Sequence, residues 1–350
     1  MCNTEKNKKK MNDSVVYDIK LGISVGPFVF GSPISECIHA LKSRGKFKIL
    51  YDDVKPFDRD IFIQIPSDHM TLRFDPNLQT LKSVDINVSC MQQINESSKN
   101  ITYTLEDQVF ISTSSVTTFL STYKLLGPTH PGSYDEKTHH AYVLDYPVVK
   151  AMFPIPPSYQ HLYNAVSSDL PLTLPDNSTP ALDRIIFTCS TSTTSDIVEI
   201  NTTSGTIVIG DKNRKFKIGD TIQSVISEIG PPVEIYSKSH VTYHNYTHMG
   251  FDLQYIGNTV VKIICHTNAL GHLEFNSYVK CNFIVTDDER ELVLTPSSEY
   301  RDFKSYCNTR PVIHDTGSSP FGSTTVYNID SKKMSIEVMK NGYIATLAVI

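Results

Sequence analysis

No stretch of about 18 consecutive apolar residues occurs in the 350-residue chain, so no segment has the length of apolar helix that a bilayer crossing demands. A basic excess is missing too. Lys and Arg number 32 against 37 Asp and Glu, a net charge of −5, whereas a nucleic-acid face needs clustered cations to neutralise phosphates. Cysteines are few, odd in number at seven and scattered without a C-x-x-C pair, which excludes a disulfide framework and a zinc knuckle. Also absent are G-x-G-x-x-G behind a strand, G-x-x-x-x-G-K-[ST], G-x-S-x-G and H-E-x-x-H, the common signatures of dinucleotide, phosphate, esterase and zinc-protease chemistry. A non-enzymatic protein without a cofactor is the expectation.

No apolar stretch follows the cluster Lys6, Lys8, Lys9 and Lys10, so a secretory signal is not expected and the cytoplasm is the expected compartment. The N-x-S/T triplets at Asn87 and Asn245 are then chance matches. The lysine cluster itself reads as a solvated, disordered tail over residues 1–12, with contact to anionic lipid as the alternative.

What is present is 40% apolar content over a length that suits two or three cores, or one extended body of several units. Asp220, followed by Ile222, Val225, Ile226 and Ile229 before Gly230-Pro231, gives an N-cap, one apolar helix face and a stop. Phe251, Leu253 and Tyr255 then alternate with polar residues, Gly257-Asn258 turns, and Val260 to Ile264 returns, which predicts a hairpin. The same order recurs at Ser32-Pro33 with Ile34, Cys37, Ile38 and Leu41, followed by strands at Met70–Phe74 and Leu81–Ile86. A third instance runs from Val116 and Phe119 to Gly127-Pro128, then Ala141–Tyr146, Val148–Phe153 and Arg184–Phe187. A fourth has Tyr300, Phe303, Tyr306 and Cys307, then Met334, Ile336 and Val338, the strong hairpin signal Asn341-Gly342, and Ile344 to Val349.

The expected class is α+β: about four helix-plus-antiparallel-hairpin units sharing antiparallel sheets, at residues 13–100, 101–200, 201–290 and 291–350. No unit of this size builds a large core alone, so neighbours are expected to share one, by sheet continuation among other routes. Connectors are expected at Asn87–Asn100, Pro154–Pro180 and Thr286–Ser298.

Four groups of side chains are candidates for a site. His240, His244 and His248, spaced by four, are a weak metal candidate, and a polar loop or edge strand is the competing reading. Thr129 and His130 lie in a Pro-Gly turn that turn chemistry alone explains. His266, Asn268, Gly271, His272 and Phe275 precede Tyr278 and Phe283, and the aromatics read either as core or as a contact face. Phe321, between Pro320 and Gly322, is either an anchored loop residue or an interface anchor.

Three motifs in order, Leu126-Gly-Pro-Thr-His-Pro-Gly-Ser-Tyr134, His266-Thr-Asn-Ala-Leu-Gly-His-Leu-Glu-Phe-Asn-Ser-Tyr278 with Cys281-Asn-Phe283, and Ser319-Pro-Phe-Gly-Ser-Thr324 with Ile336-Glu-Val-Met339, resemble the phagosome assembly factor 1 family. The resemblance extends in outline from Gly31 to Val349, and the histidine triplet is not part of its pattern. It implies a non-enzymatic autophagy adaptor. Such a protein acts with a WD40-type β-propeller partner, breast carcinoma amplified sequence 3, is recruited from the cytoplasm to the preautophagosomal structure, and touches membrane through that partner. Thr129, His130, His266, Asn268, Gly271, His272, Phe275 and Phe321 become the candidate partner-binding residues, and a direct phosphoinositide or small-ligand binding module is the alternative.

Overall fold

The computed structural model describes residues 14–92, 100–129, 132–135, 141–160, 173–190, 196–210, 214–307, 310–314 and 322–350. The lysine cluster, His130, His139, His140 and Phe321 lie outside them. In chain order the first half contains β1 (Ser14–Lys20), β2 (Ser24–Val25), β3 (Phe28–Val29), α1 (Ile34–Leu41), β4 (Lys48–Leu50), β5 (Ile61–Ile65), β6 (Met70–Phe74), β7 (Leu81–Asn87), α2 (Val88–Gln92), β8 (Asn100–Leu105), β9 (Gln108–Ser112), α3 (Phe119–Leu126), β10 (Ser133–Asp135), β11 (Ala141–Tyr146), β12 (Val149–Pro154) and β13 (Arg184–Thr188). The second contains β14 (Ile197–Asn201), β15 (Thr206–Ile209), β16 (Arg214–Lys217), α4 (Ile222–Ile229), β17 (Glu234–Lys238), β18 (Val241–Tyr246), β19 (Phe251–Ile256), β20 (Thr259–His266), β21 (Asn282–Thr286), β22 (Val293–Leu294), α5 (Tyr300–Phe303), β23 (Val312–His314), β24 (Thr324–Ile329), β25 (Met334–Val338) and β26 (Ile344–Val349).

The strands form the same two sheets twice. A large sheet runs β4-β5-β6-β7-β13-β12-β11-β10 in the first half and β17-β18-β19-β20-β26-β25-β24-β23 in the second. A small one runs β3-β2-β1-β8-β9 and, correspondingly, β16-β15-β14-β21-β22. Each helix-plus-meander unit ends on a strand that pairs with the last strand of its neighbour, β13 with β7 and β26 with β20, both antiparallel. Sheet continuation therefore joins the units two by two, and the α+β class with repeated units holds. Three details differ from expectation: each meander has four strands where two or three were foreseen, each small sheet contains one parallel pair, β1 with β8 and β14 with β21, and the expected connectors Asn87–Asn100 and Thr286–Ser298 contain α2 and β22.

Local chemistry accounts for the elements. In α1, Ile34, Cys37, Ile38 and Leu41 are all buried, the spacing of one helix face. Two caps sit one residue later than expected. Pro33, in extended conformation, is the N-cap of α1, while Ser32 donates to Val29 O at 2.8 Å. Thr221 caps α4 by accepting from Ser224 N, and Asp220 instead accepts from Lys217 N at 2.9 Å. Val116 lies outside α3, which starts at Phe119 behind the Thr118–Ser121 capping box. Strands such as β5, β6 and β25 alternate buried and less buried residues, the mark of a sheet with one face on a core. Each half has its own apolar core. One is built around Tyr17, Phe28, Phe74, Phe153 and Phe187, the other around Phe216, Tyr246, Phe251, Phe283 and Phe303. Among the described residues, Leu270 of the second half is buried in the first core, with Phe275 partly buried against it.

Candidate functional site

Leu270 leads to the seam where the two halves meet. Between β20 and β21 the chain runs through Thr267 to Cys281, the middle of the three motifs, and this segment is held by both halves. The hydroxyl of Thr267 donates to Ile344 O at 2.8 Å and Ala345 O at 2.9 Å, at the start of β26. Asn268 donates from Nδ2 to Gln79 Oε1 at 2.8 Å, and Gln79 returns Nε2 to Asn268 O at 3.1 Å. Both side chains are buried, so the pair satisfies groups that would otherwise cost about 1–3 kcal/mol each if left without a partner. Both residues have left-handed backbones, φ 55° at Gln79 and 50° at Asn268. Leu270 and Phe275 pack on the first core, and Lys280 lies 4.4 Å above the ring of Phe57.

A polar network anchors the segment to its own sheet. Asp252 on β19 accepts from Tyr278 Oη at 2.7 Å, from Asn245 Nδ2 at 2.8 Å and contacts His266 Nε2 at 3.1 Å. The other ring nitrogen of His266 meets Glu274 Oε2 at 3.3 Å. An imidazole facing a carboxylate at both nitrogens must donate at both, so it is a cation. Burial opposes that charge, but the hydrogen bonds and charges of Asp252 and Glu274 outweigh it and lift the His266 pKa to about 9. The same bond to His266 draws Glu274 down. Tyr278 stacks on the His266 ring with centroids 3.7 Å apart. Burial, together with the hydrogen bond to Asp252, pushes its phenol pKa far up.

His272 accepts from Glu274 N at Nδ1, 3.3 Å away, which leaves Nε2 to donate to Glu337 Oε1 at 3.4 Å. Glu337 also accepts from the hydroxyls of Thr324 and Thr346. Burial would raise its pKa, yet the donors from His272, Thr324 and Thr346 bring it down to about 2. Lys280 shows the opposite balance: burial lowers its pKa to about 7, only partly countered by Asp75. The carboxylates of Asp252 and Glu337 and both ring nitrogens of His266 are all engaged, an arrangement that holds a chain in place.

Of the sequence candidates, the structure brings His266, Asn268, Gly271, His272 and Phe275 together at the seam, where His266, Asn268 and His272 are buried. Thr129 is separate and half-buried just beyond α3, its hydroxyl donating to Asp145 O at 3.0 Å. The histidine triplet does not converge. His244 sits inside β18 against Tyr255, 4.5 Å between rings, whereas His240 and His248 fall in the turns beyond its two ends. That strand is interior, between β17 and β19, so neither a loop nor an edge describes it. Burial lowers the His244 pKa, and no cluster of three or more His, Cys, Asp or Glu among the described residues is placed to hold a metal.

Sequence reasoning missed the first-half side of the seam. Tyr51, Asp53 and Phe57 sit in the loop between β4 and β5. There Asp53 O accepts from Asn341 Nδ2 at 2.9 Å and the Phe57 ring meets Tyr343 edge-on at 5.3 Å. A polar-apolar loop of this composition carries no signal of its own. Two glycines set the fit from the other side. A Cβ on Gly271 (φ +81°) would lie 2.9 Å from the Tyr51 hydroxyl, and one on Gly250 (φ +80°) would collide with the backbone of Val279 and Cys281.

The architecture and seam define a duplicated α+β scaffold whose central motif clamps its two halves. The chain belongs to the phagosome assembly factor 1 family, whose family model matches residues 24–208 and 188–350. It is similar to a PHAF1 protein of Arabidopsis thaliana, 30% identical over 393 residues covering 95% of this chain and 92% of that protein. A PHAF1 protein of Caenorhabditis elegans is 27% identical over 99% of this chain and 96% of its own, and one of Drosophila melanogaster 24% identical over 95% and 92%. No solved structure matches. No helix among the described residues is long and apolar enough to cross a membrane.

Proposed function

We propose that this protein is a non-enzymatic adaptor in phagosome and autophagosome assembly that works from the cytoplasm at the preautophagosomal structure, bound to a WD40-type β-propeller of the breast carcinoma amplified sequence 3 kind, through which it reaches membrane. Membership of a family named for phagosome assembly supports the process. The observation that carries the adaptor reading is the use made of the central motif. Its buried members fasten the two halves, and its outer members, Leu273 at 60% exposure and the half-exposed Glu274, are presented beside the seam on a rigid base.

Pull-down with the propeller partner tests this. Leu273→Asp is expected to abolish capture while the melting temperature stays that of the parent chain, since the residue lies in solvent. Full capture by Leu273→Asp and by Phe321→Ala places the interface elsewhere and removes the motif from it. The second reading, a small-ligand module, draws on one observation: a cavity of about 300 Å³ beside the seam, lined by Tyr51, Asp53, Ser323, Thr324, Lys340 and Asn341. Flotation of the isolated chain with phosphoinositide vesicles favours it if binding occurs without the partner and is lost in Lys340→Ala.

A further inference from the structure

The edges of the large sheets differ in a way that concerns neither the seam nor the cavity. All five residues of β17 are exposed, so neither of its faces rests on the body of the protein. Ile235 and Tyr236, on opposite faces, are more than half exposed, as is Val233 just before them. One side of β17 pairs with β18, and as the last strand of its sheet it offers a second row of backbone donors and acceptors. Folded proteins usually blunt such an edge, because it is a template for another strand. No bulge interrupts the β17–β18 register.

What covers it is indicated by its own order of side chains. Laid antiparallel on itself about Tyr236, the segment Glu234-Ile-Tyr-Ser-Lys238 places Glu234 opposite Lys238 at both ends. Tyr236 then meets Tyr236 of the other copy. Tyr243 lies beside Tyr236 across the β17–β18 pair, rings 6.4 Å apart, so the pairing lines up four tyrosines on one face, with the two ion pairs flanking them. Opposite charges and aromatic pairs facing one another across strands are the stabilising contacts of antiparallel sheets. The other large-sheet edges lack this property. On self-pairing, β4 sets Lys48 against Leu50, β10 sets Ser133 against Asp135, and β23 sets Val312 against His314. Among the small-sheet edges β16 would set Arg214 against Lys217, a repulsion.

We infer that β17 is the pairing edge for a second copy of this chain, giving a twofold dimer in which the second-half large sheets continue into one another through a ladder centred on Tyr236. Such an interface is isologous and closes on itself, so it stops at two copies. Five paired residues a side bury less than the roughly 1,200–2,000 Å² of a standard stable interface, and the dimer is therefore concentration-dependent, with dissociation on the order of micromolar.

The experiment is sedimentation of the full chain over a concentration series, with Glu234→Lys, Lys238→Glu and the double variant. Either single reversal opposes like charges twice and is expected to weaken association about tenfold or more. The double variant restores the complement and should return to within about threefold of the parent chain. Oxidised Tyr236→Cys should give a covalent dimer above the background of the native cysteines. All of these residues are exposed, so unchanged melting temperatures certify the fold. A chain that stays monomeric to about 100 μM without a Tyr236→Cys cross-link overturns the inference. So does a dimer indifferent to both charge reversals, or capture at β17 of another protein's strand by a chain that does not self-associate.

Discussion

The two halves share a strand order, and two of the connections in which they differ lie at the seam. Between the first and second strands of the large sheet, the first half has a ten-residue loop, residues 51–60, where the second half has the two-residue turn Ser239-His240. After the fourth strand, the second half has the motif segment 267–281, laid back over its own sheet, while the first half enters α2. The long loop of one half meets the motif segment of the other at Phe57 with Lys280 and at Tyr51 with Gly271, and the joint also takes in Gln79 of the β6–β7 turn and Asn341 and Tyr343 of the β25–β26 turn. Duplication supplied two equal bodies, and asymmetry in these connections supplied the joint. The counterpart of the long loop in the second half is the two-residue turn that follows the exposed strand β17.

A substitution at two glycines of the same half sharpens the contrast between seam and surface. Gly250 and Gly257 both have left-handed backbones, φ +80° and +60°, but a Cβ at Gly257 meets nothing within 4 Å. Gly250→Ala is expected to destabilise by about 2–5 kcal/mol, strain and backbone collision together, against about 1 for Gly257→Ala. Equal losses in denaturant titrations of the two would mean that the motif segment is not seated against Gly250.

The next effect concerns the joint itself. Asn268→Ala leaves the buried Gln79 Oε1 without its donor and Asn276 N without its acceptor, and a loss of about 1–3 kcal/mol is expected. Gln79→Ala should cost a similar amount, and the double variant little more than either, because one pair is being removed twice. Simple additivity in a double-mutant cycle would show that the halves are not coupled there.

The smallest and most conditional effect is in pH. The folded pKa of His266 is raised to about 9 from an ordinary value of 6.5. Its contribution to stability is therefore complete below the ordinary value and disappears as pH rises through the folded one. Lys280 acts in the opposite sense: with a folded pKa lowered to about 7 from 10.5, its burial opposes folding most at acid pH, and the cost fades as pH rises above 7. Thermal melts from pH 6 to 10 should show His266→Gln losing stability chiefly on the acid side, and Lys280→Met gaining most there. Parallel curves for parent and both variants would break the assignment of these charges to the seam.

Much of the fold was legible because its signals are local. The apolar spacing of Ile34, Cys37, Ile38 and Leu41, the alternation of Met70, Leu72 and Phe74, and the Asn341-Gly342 turn each fit within a few residues of sequence. The small sheets were not legible. Their outer strands are as short as Phe28–Val29 and Val293–Leu294, with no room for a pattern, and they are completed by parallel pairs that no hairpin announces. The motif segment was recognisable as a unit, but its aromatics fitted both core and contact face, and the state of its histidines was hidden, since a buried His between two carboxylates and an exposed one look alike in a string of letters.

Sequence alone, then, determined the helices, the meanders, their repetition and the family, because periodicity, capping and turn residues act over one or two turns of chain. Tertiary structure alone decided that Gln79 and Asn268, 189 residues apart, satisfy each other, that Leu270 enters the other half's core, and that His266 is held as a cation. Those outcomes depend on which polar groups lose water together when distant surfaces close, and no local window contains that information.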